Sequence, residues 1–202
     1  AIPITATNAS GQPVDCDVTV IIKHLKNFAK PDRNNKLDAL EDDKVLKTFV
    51  AKSNTRIDLS LIDDYEDGNY CVRYETKDAQ GHDIKSESRF TLVSEVCEKA
   101  DFNKYFWFDI AKRTCYPGEP AKFIFGTSQK DVLLWYEIFH GDRPLTEERR
   151  ITLSQNSQIV EFPITAENRG GISIRYFFVK DNQSYSNTTG VHVPYENKHL
   201  EI

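Results

Sequence analysis

The chain has 202 residues, 39% hydrophobic and 28% charged, with 26 Lys and Arg against 31 Asp and Glu and a formal net charge of −5. At roughly 100 to 200 residues per domain, this length holds one large domain or two small ones. Mixed charge with 11% aromatics excludes a disordered chain, the acidic balance without a basic block excludes a nucleic-acid footprint, and no apolar run approaches the ~20 residues of a membrane span. No methionine occurs, even at position 1, and no signal peptide opens the chain, so it reads as a piece of a longer polypeptide.

Short runs rich in Val, Ile, Thr and aromatics, punctuated by Gly, Asn, Asp and Pro, predict strands. In chain order they cover 2–7, 17–25, 56–62, 70–77, 88–93, 106–113, 121–126, 132–140, 159–164, 172–180 and 190–194. Several alternate, as antiparallel strands with one wet face must; Val18, Val20 and Ile22 share one face. A short helical patch is expected over 37–49, where Leu37, Leu40 and Val45 interrupt a charged run. Strands about every ten residues without long helices between them predict antiparallel sandwiches rather than βαβ units.

The sequence repeats itself. Gly68-Asn69-Tyr70-Cys71-Val72-Arg73-Tyr74 resembles Gly170-Gly171-Ile172-Ser173-Ile174-Arg175-Tyr176 at an offset of 102 residues, and each copy runs on to Lys-Asp, a polar turn and one further strand. Two domains of one type are therefore expected, 1–98 and 99–202, joined across the polar stretch 94–103. Each half has the size of a seven-stranded antiparallel β-sandwich of the immunoglobulin or fibronectin type III kind. Tyr70 occupies the place where such sandwiches use a tyrosine hydroxyl to tie a corner loop to the backbone.

Chemistry is sparse. There is no glycine-rich phosphate loop, no G-x-S-x-G elbow and no H-E-x-x-H helix. His24, His82, His140, His192 and His199 are scattered at expected strand ends and turns and read as surface histidines. Cys16, Cys71, Cys97 and Cys115 contain no C-x-x-C pair, which argues against structural zinc. Asp42-Asp43 and Asp63-Asp64 read as solvated turns. Accordingly no catalytic, cofactor-binding or metal-binding residue is assigned. If Tyr70, Val72 and Tyr74 face inward, Cys71 lies on the outer face with Arg73 and Glu75. Four unbridged thiols are expected, with Cys97 and Cys115 the exception to test. Tyr105-Phe106-Trp107-Phe108 and Trp135-Tyr136 offer a stacking platform for sugars, but both Trp segments also fit core positions of a sandwich, which is the reading preferred here.

Ordered landmarks carry a family resemblance. Tyr116-Pro117-Gly118-Glu119-Pro120-Ala121, the strand Val132-Leu133-Leu134-Trp135-Tyr136-Glu137-Ile138, Phe162-Pro163-Ile164 and the exit Val193-Pro194-Tyr195 leading to Leu200-Glu201-Ile202 resemble a macroglobulin-type domain of the alpha-2-macroglobulin superfamily. Gly11-Gln12-Pro13-Val14 and Asp67-Gly68-Asn69-Tyr70 are similar landmarks in the first half, so the resemblance covers essentially the whole chain. It is specifically to large bacterial, Bacteroidetes-like members. The resemblance implies a parent that traps proteases when an exposed bait segment is cut, often using a thioester in Cys-Gly-Glu-Gln. None of the four cysteines stands in that sequence, and there is no bait-like stretch unless the charged 30–47 insertion is one, which its place between strands of one domain argues against. What it implies here is two scaffold modules of an envelope protein, periplasmic or at the cell surface. Expected partners are neighbouring domains of the parent and, through it, target proteases, with no nucleic acid, no membrane span and no cofactor. A carbohydrate-binding or adhesion module is the alternative.

Overall fold

The computed structural model describes residues 2–27 and 36–195; His199, the end of the exit landmark and residues 30–35 of the charged insertion lie outside the described residues. Among the described residues the regular elements are β-strands and short 3-10 turns, and the strands pair antiparallel. This is the all-β architecture that the alternating runs predict. The chain divides into two compact units, Ala1–Ser94 with Asp101–Asn103, and Glu95–Ala100 with Lys104–Ile202.

The first unit contains β1 (Ile2–Ile4), β2 (Asp17–Leu25), β3 (Asp42–Lys52), β4 (Thr55–Ile57), β5 (Gly68–Lys77) and β6 (Asp83–Leu92). One sheet runs β3-β2-β5-β6 and the other consists of β1 and β4. Val18, Val20 and Ile22 are buried together, as their alternation requires, with Val72 from β5 and with Ile4 and Ile57 from the smaller sheet. Tyr70 makes the expected corner: its hydroxyl donates to the Glu66 carbonyl at 2.6 Å while its ring stacks between Tyr65 and Phe90, both at 5.7 Å. Burial holds its phenol above the ordinary range.

The expected helical patch is instead a 3-10 turn at Leu37–Ala39 followed by the eleven-residue strand β3. β3 is an edge strand exposed along most of its length, so charges occupy it where a buried strand would alternate. The same reason hid the lengths of two more edges. β6 begins at Asp83, five residues before the expected start at Ser88, and the last strand ends rather than begins near Gly190. Their sequences, DIKSESRF and QSYSNTTG, lack the apolar alternation that marks a covered face.

The second unit contains β7 (Phe106–Ile110), β8 (Pro120–Thr127), β9 (Val132–His140), β10 (Arg143–Pro144), β11 (Arg149–Leu153), β12 (Asn156–Pro163), β13 (Ile172–Lys180) and β14 (Gln183–Val191). One sheet runs β12-β8-β7; in the other, β9 pairs with β13, which pairs with β14, while β10 and β11 follow one another along the remaining edge of β9. The unit thus has seven strand positions. Asp181 and Asn182, both at positive φ (51° and 58°), make the two-residue turn from β13 to β14 that a right-handed strand twist favours. Phe123, Phe125, Leu134, Ile138, Ile174 and Phe178 fill the core.

Trp107 is 8% exposed and lies across Gly126, its register partner on β8. A Cβ built on Gly126 falls 2.0 Å from the indole ring, so the strand needs glycine there for close approach rather than for an unusual φ. Gly126→Ala is expected to lower stability by about 1–3 kcal/mol, the range of core overpacking. Denaturant unfolding followed by fluorescence reads it; an unchanged midpoint means that the indole moves aside without cost.

Candidate functional site

Alternation along β9 sends Val132, Leu134, Tyr136 and Ile138 into the core and leaves Leu133, Trp135, Glu137 and Phe139 on the opposite face. β13 does the same, burying Ile172, Ile174, Tyr176 and Phe178 and presenting Ser173, Arg175, Phe177 and Val179. The register sets Trp135 against Phe177 and Glu137 against Arg175. The two rings lie 6.0 Å apart at 38°, and the Arg175 guanidinium sits 4.8 Å from the centroid of Phe139. Phe177 is 41% exposed and Val179 52%. A shallow cleft of about 220 Å³ opens here, with Trp135, Glu137, Glu148, Arg175 and Phe177 in its wall.

The preference for both Trp segments as core therefore holds for one of them. Trp107 is buried, and Phe106 and Phe108 are half-buried and packed on the core, whereas Trp135 lies on the outer face. Its ring partner was not foreseen. The signal was Tyr176-Phe177-Phe178-Val179, apolar on both faces of a strand where one face should be wet. Paired aromatic rings beside a guanidinium and a carboxylate suit stacking and hydrogen bonding to a flat, hydroxyl-bearing ligand. Nothing in the arrangement couples a nucleophile to a base.

Elsewhere the polar side chains serve the fold. His24 Nδ1 lies 2.9 Å from Asp43, His82 Nδ1 lies 3.0 Å from Asp78, and His140 Nε2 meets the Arg169 carbonyl at 3.0 Å. The His192 backbone bonds Arg113 and Cys115. Asp63 and Asp64 are exposed, as expected of a turn. Among the described residues no group of three or more His, Cys, Asp and Glu is placed to hold a metal ion.

Cys71 requires a correction. It does lie opposite the face of Val72, but that outer face is not wet at this point. Cys71 is fully buried among Leu25, Leu40 and Leu37, because the 3-10 turn at Leu37–Ala39 folds over the sheet. Arg89 pins this cover by donating to the Leu37 and Leu40 carbonyls at 2.9 and 2.6 Å. Ion pairs continue beneath it: Lys23 to Asp42 at 2.5 Å, Arg73 to Glu87 at 2.5 Å and to Asp42 at 3.4 Å, and Arg89 to Glu87 at 3.2 Å. The Lys23 hydrogen bond holds the Asp42 carboxyl below its ordinary value, and the Arg73 hydrogen bond does so for Glu87. Burial pushes the Cys71 and Cys115 thiols up. None of the four cysteines forms a disulfide.

The sequence landmarks of the second half meet one another in space. Glu119 accepts from Lys112 Nζ at 2.7 Å and from the Tyr116 amide at 2.9 Å, closing the Pro117-Gly118 turn. Gly118 N donates to the Ile164 carbonyl at 2.8 Å, Ile164 N to Glu119 at 3.0 Å, and Gly170 N to Val193 at 2.8 Å. These motifs are joints of one sandwich.

No protein-family model matches the chain, and no curated protein matches it. Among solved structures it is similar to Escherichia coli alpha-2-macroglobulin in its native conformation, at 12% identity and a TM-score of 0.38, over 96% of this chain and 13% of that one. It is also similar to Escherichia coli alpha-2-macroglobulin activated by porcine elastase, at 12% identity and a TM-score of 0.36, over 93% of this chain and 21% of that one. The chain thus spans a small part of either protein.

The ionic cover over Cys71 yields a prediction. Asp42 and Glu87 have depressed folded pKa values, so their contribution is complete above their ordinary values of 3.8 and 4.5 and is lost as pH falls through the folded values. Labelling of Cys71 by an acid-tolerant disulfide reagent is expected to be slow from pH 5 to 8 and to accelerate below about pH 4. Arg89→Gln, which unpins the turn, is expected to speed labelling about tenfold at pH 7 through local opening. Equal rates in the variant and the wild type at pH 7 contradict the pinning role.

Proposed function

We propose that the chain is two macroglobulin-like β-sandwich domains, divided within the polar stretch 94–103, serving as non-catalytic scaffold of a large bacterial, Bacteroidetes-like alpha-2-macroglobulin-type envelope protein. The carrying observation is that two successive units repeat one strand arrangement. In each, a central hairpin (β5–β6, β13–β14) lies against a long strand (β2, β9), while the described His and buried ionic groups serve turns and the cover over Cys71. The family landmarks of the second unit supporting each other in one sandwich fits the same reading. The parent then traps proteases in the periplasm or at the cell surface, with these units contacting neighbouring domains. Among the described residues no helix is long and apolar enough to cross a membrane. The 202-residue chain alone is expected to leave a panel of proteases fully active on a protein substrate, while the parent polypeptide inhibits them. Stoichiometric inhibition by the chain alone, or none by the parent, overturns this reading.

One observation favours the adhesion reading: the Trp135–Phe177 pair on an outer sheet face. Under that reading glycan-array binding is present and is lost in Trp135→Ala but kept in Val50→Thr, an exposed position on β3 of the first unit. An array without hits eliminates it.

A further inference from the structure

The two units are not equally complete. In the second, β8 takes β12 on one edge and β7 on the other. In the first, β1 stands where β8 does, as the strand that immediately precedes the long strand of the other sheet (β2, as β9 follows β8), and β4 stands where β12 does; among the described residues β1 pairs with β4 alone. A counterpart of β7 is not among the described residues of that unit.

What β7 does in the second unit shows what is left uncovered in the first. Phe106 and Phe108 lie over the inner face of β13, with Phe106 4.6 Å from Phe178 and Phe108 5.1 Å from Tyr176 by ring centroids. Tyr105 stacks on Tyr185 of β14 at 5.7 Å, and its hydroxyl donates to the Asp181 carboxylate at 2.7 Å. Tyr176 corresponds to Tyr74 and Phe178 to Thr76 through the repeat; Tyr185, opposite Phe178, corresponds to Ile84, opposite Thr76. Tyr74, Thr76 and Ile84 line an open groove of about 900 Å³ whose far wall is Pro3–Ala9 and Val14. Ile84 is 49% exposed, although its side chain points between the sheets. The groove therefore lies where the repeat places a seventh strand, and one edge of it is β1, whose pairing is taken up on one side only.

We infer that the groove is the seat of one further antiparallel strand, paired to β1, with large apolar side chains at alternate positions, supplied by the same polypeptide N-terminal to β1. The order β7 then β8 in the second unit is what fixes the donor side, and the alternation of Phe106, Phe108 and Ile110 is what fixes its chemistry. A strand in this position pairs an edge that is otherwise a template for association with other chains. The inference rests on the equivalence of the two units and not on the parent's activity, so protease assays and this test fail independently.

The test compares the 202-residue chain with one extended by the residues that precede Ala1 in the reading frame, roughly 20 being enough for a strand and its connection. The extension is expected to slow amide exchange in β1 about tenfold or more, through loss of local opening. It is also expected to raise the melting midpoint of the first unit by several degrees. Ile84→Asp, which puts a charge in the groove, is expected to abolish both gains while leaving the unextended chain folded as judged by its melt. Unchanged exchange and midpoint in the extended chain, or gains that survive Ile84→Asp, overturn the inference, as does a reading frame with nothing before Ala1. Concentration-dependent protection of β1 in the unextended chain, with a dimer in sedimentation, makes the occupant a second copy and also overturns it.

Discussion

The packing of β7 across β13 closes the second unit. Phe106 and Phe108 meet Tyr176, Phe178 and Phe125, and Tyr176 stands edge-on to Phe125 at 5.3 Å. Fully burying one large apolar side chain contributes about 1.5–3 kcal/mol, so an aromatic cluster of this size dominates the stability of a domain of about 100 residues. Much else follows from it. Trp107, between the two Phe residues, is driven to the outer side, and Gly126 must be small to receive it. Tyr105, just before β7, is carried over Tyr185 and reaches the turn at Asp181.

The first unit lacks this cluster and is held by smaller joints. Ser53 is the clearest: its hydroxyl accepts from the Cys16 amide at 2.9 Å and donates to the Val14 carbonyl at 2.6 Å, while its own amide donates to Cys16 at 3.0 Å. One buried side chain thereby fastens the entry of β2 to the exit of β3. The Tyr70 corner fastens the entry of β5 in the same manner. A net hydrogen bond is worth about 1 kcal/mol, but breaking one partner of a buried pair costs the desolvation of the other as well.

The legible parts of the fold were those where burial is one-sided. Asp17–Leu25, Val132–His140 and Ile172–Lys180 have the bounds that alternation predicts, because each is a central strand with a covered face. The edges fare worse: β6 and β12 start earlier than expected, β1, β4 and β7 end earlier, and β3 reads as helix, since exposure removes the pattern that periodicity detects. The face of Cys71 was legible and its burial was not: a 3-10 turn covering the outer face depends on Arg89 reaching the Leu37 and Leu40 carbonyls, about fifty residues away in sequence, which no local period encodes. The same limit applied to the candidate site. Alternation places Trp135 and Phe177 outward, but that they are cross-strand partners is a matter of register, set by the whole sheet.

The outer faces of the two hairpin sheets are where the repeats part company. In the first unit that face carries Lys23, Arg73 and Arg89 against Asp42 and Glu87, and a turn lies over it. In the second the corresponding face carries exposed Phe177 and Val179 beside a half-buried Trp135. Inner faces of a repeated fold must stay alike, because both have to bury one stripe against an opposing sheet. Outer faces are under no such constraint and are free to diverge toward contacts. Two exposed apolar side chains beside a half-buried indole, with a guanidinium stacked on Phe139, form an apolar patch on a sheet face, and such patches mark contact surfaces. Whatever distinguishes the two units is therefore to be sought on that face, not in the shared core.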